Sequence, residues 1–304
     1  MYFCILLLLM QGLQPYSFLF NSVKRFDWLN TIVQARKDLL DIPPREEIKL
    51  YFSGFEVGKM TPFHIVSLAC LIECIIRSGR RVRIKSDKEI TKYLQEELQF
   101  EKYWGKNAPS NFVESQNDTV LNLWRFVDDE KEAYTMRIHQ YLKRRFFENK
   151  DLSAVKESLD EAYYNVSDHA NADGNAFSFI KFDEQQGKLY VAVCDFGIGI
   201  ANSIRRVFTD IDNDAQALCK ALEYNITTKS HERNQGMGLG NIKDTCTEDD
   251  ILGIISNNGW LLAKRENIRN GLHKIDFDGT IIYYELSLNH FEEENILDAF
   301  TFTF

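Results

Sequence analysis

Between Val155 and Asn171, the residues Glu161, Asn165, Asp168 and His169 follow one another at spacings of four, three and one. Wound into a helix, these spacings bring two carboxylates, an amide and an imidazole to one edge. At about 100° per residue, Val155, Leu159, Ala162, Val166 and Ala170 form an apolar stripe centred about 120° from that edge. Such a helix can dock on a sheet and still line a pocket. Downstream come two turns rich in glycine, Asp195-Phe-Gly-Ile-Gly199 and Gly236-Met-Gly-Leu-Gly240. Glycines at 236, 238 and 240 let main chain approach phosphates closely, and the helix start that follows offers N–H groups to an anion. Asp195, at a strand end, can accept a hydrogen bond from an exocyclic amine such as that of adenine, with Gly197 and Gly199 leaving room for the base. Asn165 offers an oxygen to magnesium, which prefers a few protein oxygens together with phosphates and waters. One turn earlier, Glu161 can orient or deprotonate a nucleophile near a terminal phosphate. A nucleotide fits all three elements.

The order of elements must position these groups. A helix from Asn21 to Asp41 ends at Pro43 and Pro44, and a strand follows at Ile48–Phe52. Thr61 and Pro62 open an apolar helix that runs to Ile76 and stops at Ser78 and Gly79. Arg81–Lys85 reads as a strand and Asp87 opens a helix toward Phe100, so residues 21–118 form a small parallel α/β domain. A connecting strand and helix occupy 119–150. The helix bearing Glu161 comes next, then strands at Ala176–Asp183 and Lys188–Asp195, a helix at Asp214–Glu223, and closing strands at Gly253–Lys264 and Lys274–Leu288.

The 304 residues carry 45 acidic and 36 basic side chains, a formal net charge of -9. That balance argues against a broad contact surface for nucleic acid or for an anionic membrane, both of which need clustered positive charge. The apolar run Tyr2–Met10 lacks a basic flank and is too short to span a bilayer, so residues 1–20 read as an apolar segment, the run being either a buried first strand or the product of an upstream start-site error. Cys70 and Cys74 lie one turn apart in an apolar stretch and read as buried thiols; scattered free thiols point to a reducing, cytoplasmic setting. The tail, 289–304, is acidic and aromatic without a clear period.

Glu161-Ala-Tyr-Tyr-Asn165 with His169, Asp195-Phe-Gly-Ile-Gly199, Thr227-Thr-Lys229, Gly236-Met-Gly-Leu-Gly240 and Gly279-Thr280 resemble the successive motif boxes of the GHKL ATPases, and most of all the anti-sigma-factor serine kinase branch. The resemblance covers about Asp151 to Leu288. It implies an ATP-binding domain at 151–288 of the Bergerat type, an α/β sandwich whose mixed sheet carries helices on one face, with a mobile lid at Asn225–Gln235. It further implies ATP and magnesium as ligands. Asn165 would hold the metal and Asp195 the adenine amine. Glu161 would be the general base. Gly197, Gly199, Gly236, Gly238, Leu239 and Gly240 would shape the pocket, with His169 beside it, Thr228 and Lys229 reaching from the lid and Thr280 closing the wall around the base. The activity implied is that of an ATPase or a protein serine/threonine kinase with a regulatory protein partner; a homodimer is compatible with it. The alternative is a conformational switch driven by ATP with little turnover. A histidine-kinase reading is less favoured, because Gln140 follows His139 where an acidic residue would be expected. The N-terminal order resembles STAS-like regulatory domains, in which a hydroxyl near the first helix start is phosphorylated, and this marks Thr61.

Overall fold

The computed structural model describes residues 16–105, 110–115, 117–166, 174–223, 239–244, 246–265, 267–287 and 291–293. The fold is α/β and contains two sheets. In the first, β1 (Ser17–Phe20), β2 (Glu47–Phe52) and β3 (Arg81–Ser86) lie side by side in chain order, all parallel. Helices α1 (Arg25–Asp38) and α2 (Pro62–Arg77) make the crossovers. Strand β2 alternates, burying Ile48, Leu50 and Phe52 beneath these helices, and the intervening Glu47, Lys49 and Tyr51 are half-exposed. Strand β1 lies at the end of the apolar segment 1–20, after the Tyr2–Met10 run, which is outside the described residues.

Helix α2 is buried on almost its whole circumference, from Pro62 to Glu73 and again at Ile75. A helix apolar all round needs neighbours on every side, and α2 has them: α1 and β3 on one side, the second sheet on the other. Its start is fixed by His64. Nε2 of His64 donates to the Val23 carbonyl at 3.0 Å, so Nδ1 is the acceptor for the Thr61 N–H and hydroxyl, each at 3.0 Å. Burial pushes the His64 imidazole down to about 4, so the ring is neutral at physiological pH.

Beyond β3 the helix expected to continue to Phe100 is broken into α3 (Lys88–Lys92), a π turn (Tyr93–Glu97) and α4 (Glu101–Trp104). The chain then enters the second sheet at β4 (Val120–Arg125). Its partners are β5 (Ala176–Asp183), β6 (Lys188–Asp195), β7 (Ile251–Lys264) and β8 (Asn267–Ser287), in the order β4-β5-β6-β8-β7. A mixed sheet was expected; every neighbouring pair here is antiparallel. Period-two burial divides the side chains between two cores. Ile180, Val191, Val193, Ile282 and Tyr284 face α5 (Lys131–Arg145), α6 (Ser153–Asn165), α7 (Ile200–Val207), α8 (Asp214–Ala221) and α9 (Leu239–Asp244). Phe177, Phe179, Ala192, Cys194 and Ile281 face α2 and share one continuous core with the first sheet. Helices therefore cover both faces of this sheet, one of them with N-terminal chain. Strands buried on both sides must be apolar throughout, which is why β5 and β6 read as near-continuous hydrophobic runs. Among the described residues no helix is long and apolar enough to cross a membrane.

Candidate functional site

Helix α6 places Val155, Leu159 and Ala162 in the core, with Val166 at its C-cap, and leaves Glu161 and Asn165 half-buried on the adjoining edge. The two side chains are joined: the Asn165 amide Nδ2 donates to Glu161 Oε1 and to the Glu161 carbonyl, both at 2.8 Å. With its donor end committed, the amide turns its acceptor oxygen away from Glu161. That oxygen is of the type magnesium takes when phosphates and water supply the other positions. Among the described residues no three His, Cys, Asp or Glu side chains gather into a metal cluster.

Asn165 and Val166 line one side of a small cleft whose remaining walls are Val193, Asp195, Ile200, Thr280 and Ile282. Apolar walls enclose three polar side chains, Asn165, Asp195 and Thr280, around a space of about 10 Å³, the room of a single water molecule, so a larger ligand requires the cleft to open. Asp195 ends β6 and is 2% exposed. Burial pushes its carboxyl up to about 7; hydrogen bonds from the Gly197 and Thr280 backbone and the nearby Arg36 guanidinium oppose the rise. The Gly197 N–H donates to Oδ1 at 2.8 Å.

Glycine is required at two positions around this carboxylate. Gly199 has φ +85 at the N-cap of α7, and a side chain there would strike Ser256 and Asn257. Gly279 has φ +129, and a Cβ would collide with the Asp195 carbonyl oxygen. Their neighbours pin the loop. The Ile200 N–H donates to the Thr280 hydroxyl at 3.0 Å, the Asn202 N–H to Asn257 Oδ1 at 3.2 Å, and Asn257 Nδ2 to the Ile198 carbonyl at 3.1 Å. Ser256 adds a bond from its hydroxyl to the Gly279 carbonyl at 3.0 Å.

The structure thus brings together Glu161, Asn165, Asp195, Gly197, Gly199 and Thr280. Leu239 and Gly240, at the start of α9, are buried; Leu239 joins the core, and a Cβ on Gly240 would meet the Leu222 carbonyl oxygen. The helix packs on α6 and β7, so these two residues brace the helix carrying Glu161. His169, Thr228, Lys229, Gly236 and Gly238, together with the lid expected at Asn225–Gln235, lie outside the described residues.

Sequence reasoning missed Ser256 and Asn257, where the β7 register shifts and Asn257 takes φ 53. The run Asn257-Asn258-Gly259 inside a strand was a signal for a bulge. It also missed Arg36, contributed by α1 of the first sheet. Its guanidinium lies 4.0 Å from the Phe196 ring centroid and donates to the Asp278 carbonyl. Both loops that flank the Asp195 carboxylate are therefore held from behind by one N-terminal side chain. Thr61 donates its hydroxyl to His64 as described, and His139 sits half-buried on α5. No protein-family model matches the chain, and comparison with curated proteins finds no match.

Proposed function

We propose that the chain binds ATP with magnesium in this cleft and acts as an ATPase or a protein serine/threonine kinase in regulation. The observation that carries the reading is the Asp195 carboxylate, buried at a strand end between two glycine turns and opening on the same cleft as Asn165. On this reading an ionised carboxylate there accepts the exocyclic amine of adenine, and the cleft widens from its volume of about 10 Å³ so that Thr280, Val193 and Ile282 flank the ring. Asn165 offers its amide oxygen to the metal, whose charge, when bound, offsets that of the phosphates. Glu161, which accepts a hydrogen bond from the Asn165 amide, is on this reading the base that takes a proton from an attacking hydroxyl or water.

Magnesium and terminally labelled ATP, incubated with the protein with and without cell extract, separate the outcomes. Free labelled phosphate identifies an ATPase and labelled protein a kinase. Glu161→Gln is expected to abolish turnover while ATP binding, followed by calorimetry, stays within about twofold. Loss of binding in that variant would remove the assignment of Glu161 as base. A switch with little turnover is the second reading, favoured by the grip of Arg36 on both loops at Asp195, which ties the N-terminal unit to the state of the cleft.

A further inference from the structure

The three parallel strands advance in one direction, β1 to β2 to β3, and each crossover lays a helix on the same face. After β3 the chain folds α3, the π turn and α4, then departs to the other sheet instead of returning as a fourth strand. Among the described residues the outer edge of β3 has no partner strand. Beside it lies a groove of about 860 Å³. Ile72 and Ile76 of α2, with Val82 and Ile84 of β3, form its apolar lining, and Phe100 and Trp104 belong to the run that closes the far side. The site has the form of a strand position that is already walled and that no described strand of the chain fills.

The charges beside it are unlike those of the chain as a whole. Arg80, Arg81 and Arg83 line the groove against Glu47 and Glu101, and Lys85 is exposed at the next outward position of β3. The whole chain has a net charge of -9. Arg83 is partly neutralised by Glu47 at 2.9 Å, whereas Arg81 is exposed. Pairing of β3 with a second copy of itself would set Arg81, Arg83 and Lys85 against their own counterparts, an arrangement that like charges disfavour. The same side chains select an acidic strand.

We propose that the open edge of β3 is a docking site for an extended segment of a partner protein in which apolar and acidic residues alternate. The segment adds as a fourth strand. Its backbone pairs with β3, its apolar side chains enter the groove lined by Ile72, Ile76 and Trp104, and its carboxylates lie along Arg81 and Arg83. Strand β3 offers six residues, about 20 Å of pairing edge. The inference is independent of the nucleotide reading.

A blocked peptide alternating glutamate with valine and long enough to span β3 is titrated into the full chain at low salt. A lysine–valine counterpart and a glutamate–valine peptide N-methylated at alternate amides serve as controls. The acidic peptide is expected to bind roughly tenfold or more tightly than the basic one, and its affinity should fall with added salt. It should also slow amide hydrogen exchange within residues 81–86, and N-methylation should remove both effects. The paired charge reversal Arg81→Glu with Arg83→Glu should reverse the preference. Equal binding of the acidic and basic peptides, full binding of the N-methylated peptide, or binding that leaves exchange in β3 unchanged overturns the proposal. The peptide comparisons use the unmodified protein, so they decide the matter even if the reversed variant fails to fold.

Discussion

Asp195 carries most of the chemistry at the scale of single residues. In an unfolded chain its carboxyl titrates near 3.8, whereas burial holds it near 7 in the fold. The folded state therefore favours the protonated form. The stability gained from this group is present below the unfolded value and is lost as pH rises through about 7, a change of up to roughly 4 kcal/mol. Asp195→Asn should accordingly flatten the decline in melting temperature between pH 5 and pH 8. If the cleft binds ATP as proposed, the same group sets the pH dependence of binding, because the carboxylate accepts a hydrogen bond from the adenine amine more strongly than the neutral acid does. ATP affinity, followed by calorimetry, should rise from pH 6 to pH 8 with a midpoint near 7, and Asp195→Asn should both weaken binding and remove the midpoint. Arg36 opposes protonation of Asp195, so Arg36→Met should move that midpoint upward and reduce affinity at pH 7. An unchanged midpoint would leave Arg36 with a packing role only.

Individual elements are fixed by their ends and by what lies on each side. Helix α2 begins with the Thr61 and His64 bonds, which satisfy backbone groups that a buried helix start would otherwise leave unpaired. Thr61→Ala should cost about 1 kcal/mol in denaturant unfolding. The neutral state of His64 adds a pH signature. Its stability contribution is complete above the unfolded value near 6.5 and is lost as pH falls toward 4, the point to which burial depresses the ring. His64→Gln should reduce the acid sensitivity over that window, and an unchanged acid limb would show that another group controls it. Helix α6 is organised on the same principle: its stripe is buried against the sheet, which leaves Glu161 and Asn165 on the half-buried edge, where Asn165 lines the cleft.

For the molecule as a whole the central fact is a continuous core beneath two sheets. Phe177, Phe179 and Ile281 from the second sheet join Phe63, Cys70 and Leu71 from α2 in one cluster. The Arg25–Glu285 ion pair at 2.6 Å and the grip of Arg36 on Asp278 tie the same surfaces at their rim. Scanning calorimetry should accordingly record a single unfolding transition in spite of the two sheets. Phe179→Ala should lower that transition as a whole, at a cost of about 3–5 kcal/mol, without splitting it. Two separated transitions would mean that the shared core does not couple the units.

Local chemistry was enough to read much of this protein from its sequence. Strands β5 and β6 match their expected bounds, because a hydrophobic run ending at a turn is specified by neighbouring residues alone. The spacing of Glu161 and Asn165 already required a shared helix edge, and the glycines after Asp195 marked a turn there, although the φ of +85 at Gly199 came from the structure alone. Other features depend on residues far apart in the chain and leave no local period to read. The break at the π turn, the covering of the second face of the large sheet by α2, and the edge of β3 that has no partner strand among the described residues are of this kind. So are the joining of Ser256 and Asn257 to the Asp195 loop and the reach of Arg36 to Phe196 and Asp278. The sequence by itself determined which side chains share an edge or a turn, since spacing and backbone stereochemistry act over a few residues. Only the tertiary structure decided which edges meet, since that depends on which apolar faces are left for each sheet to bury.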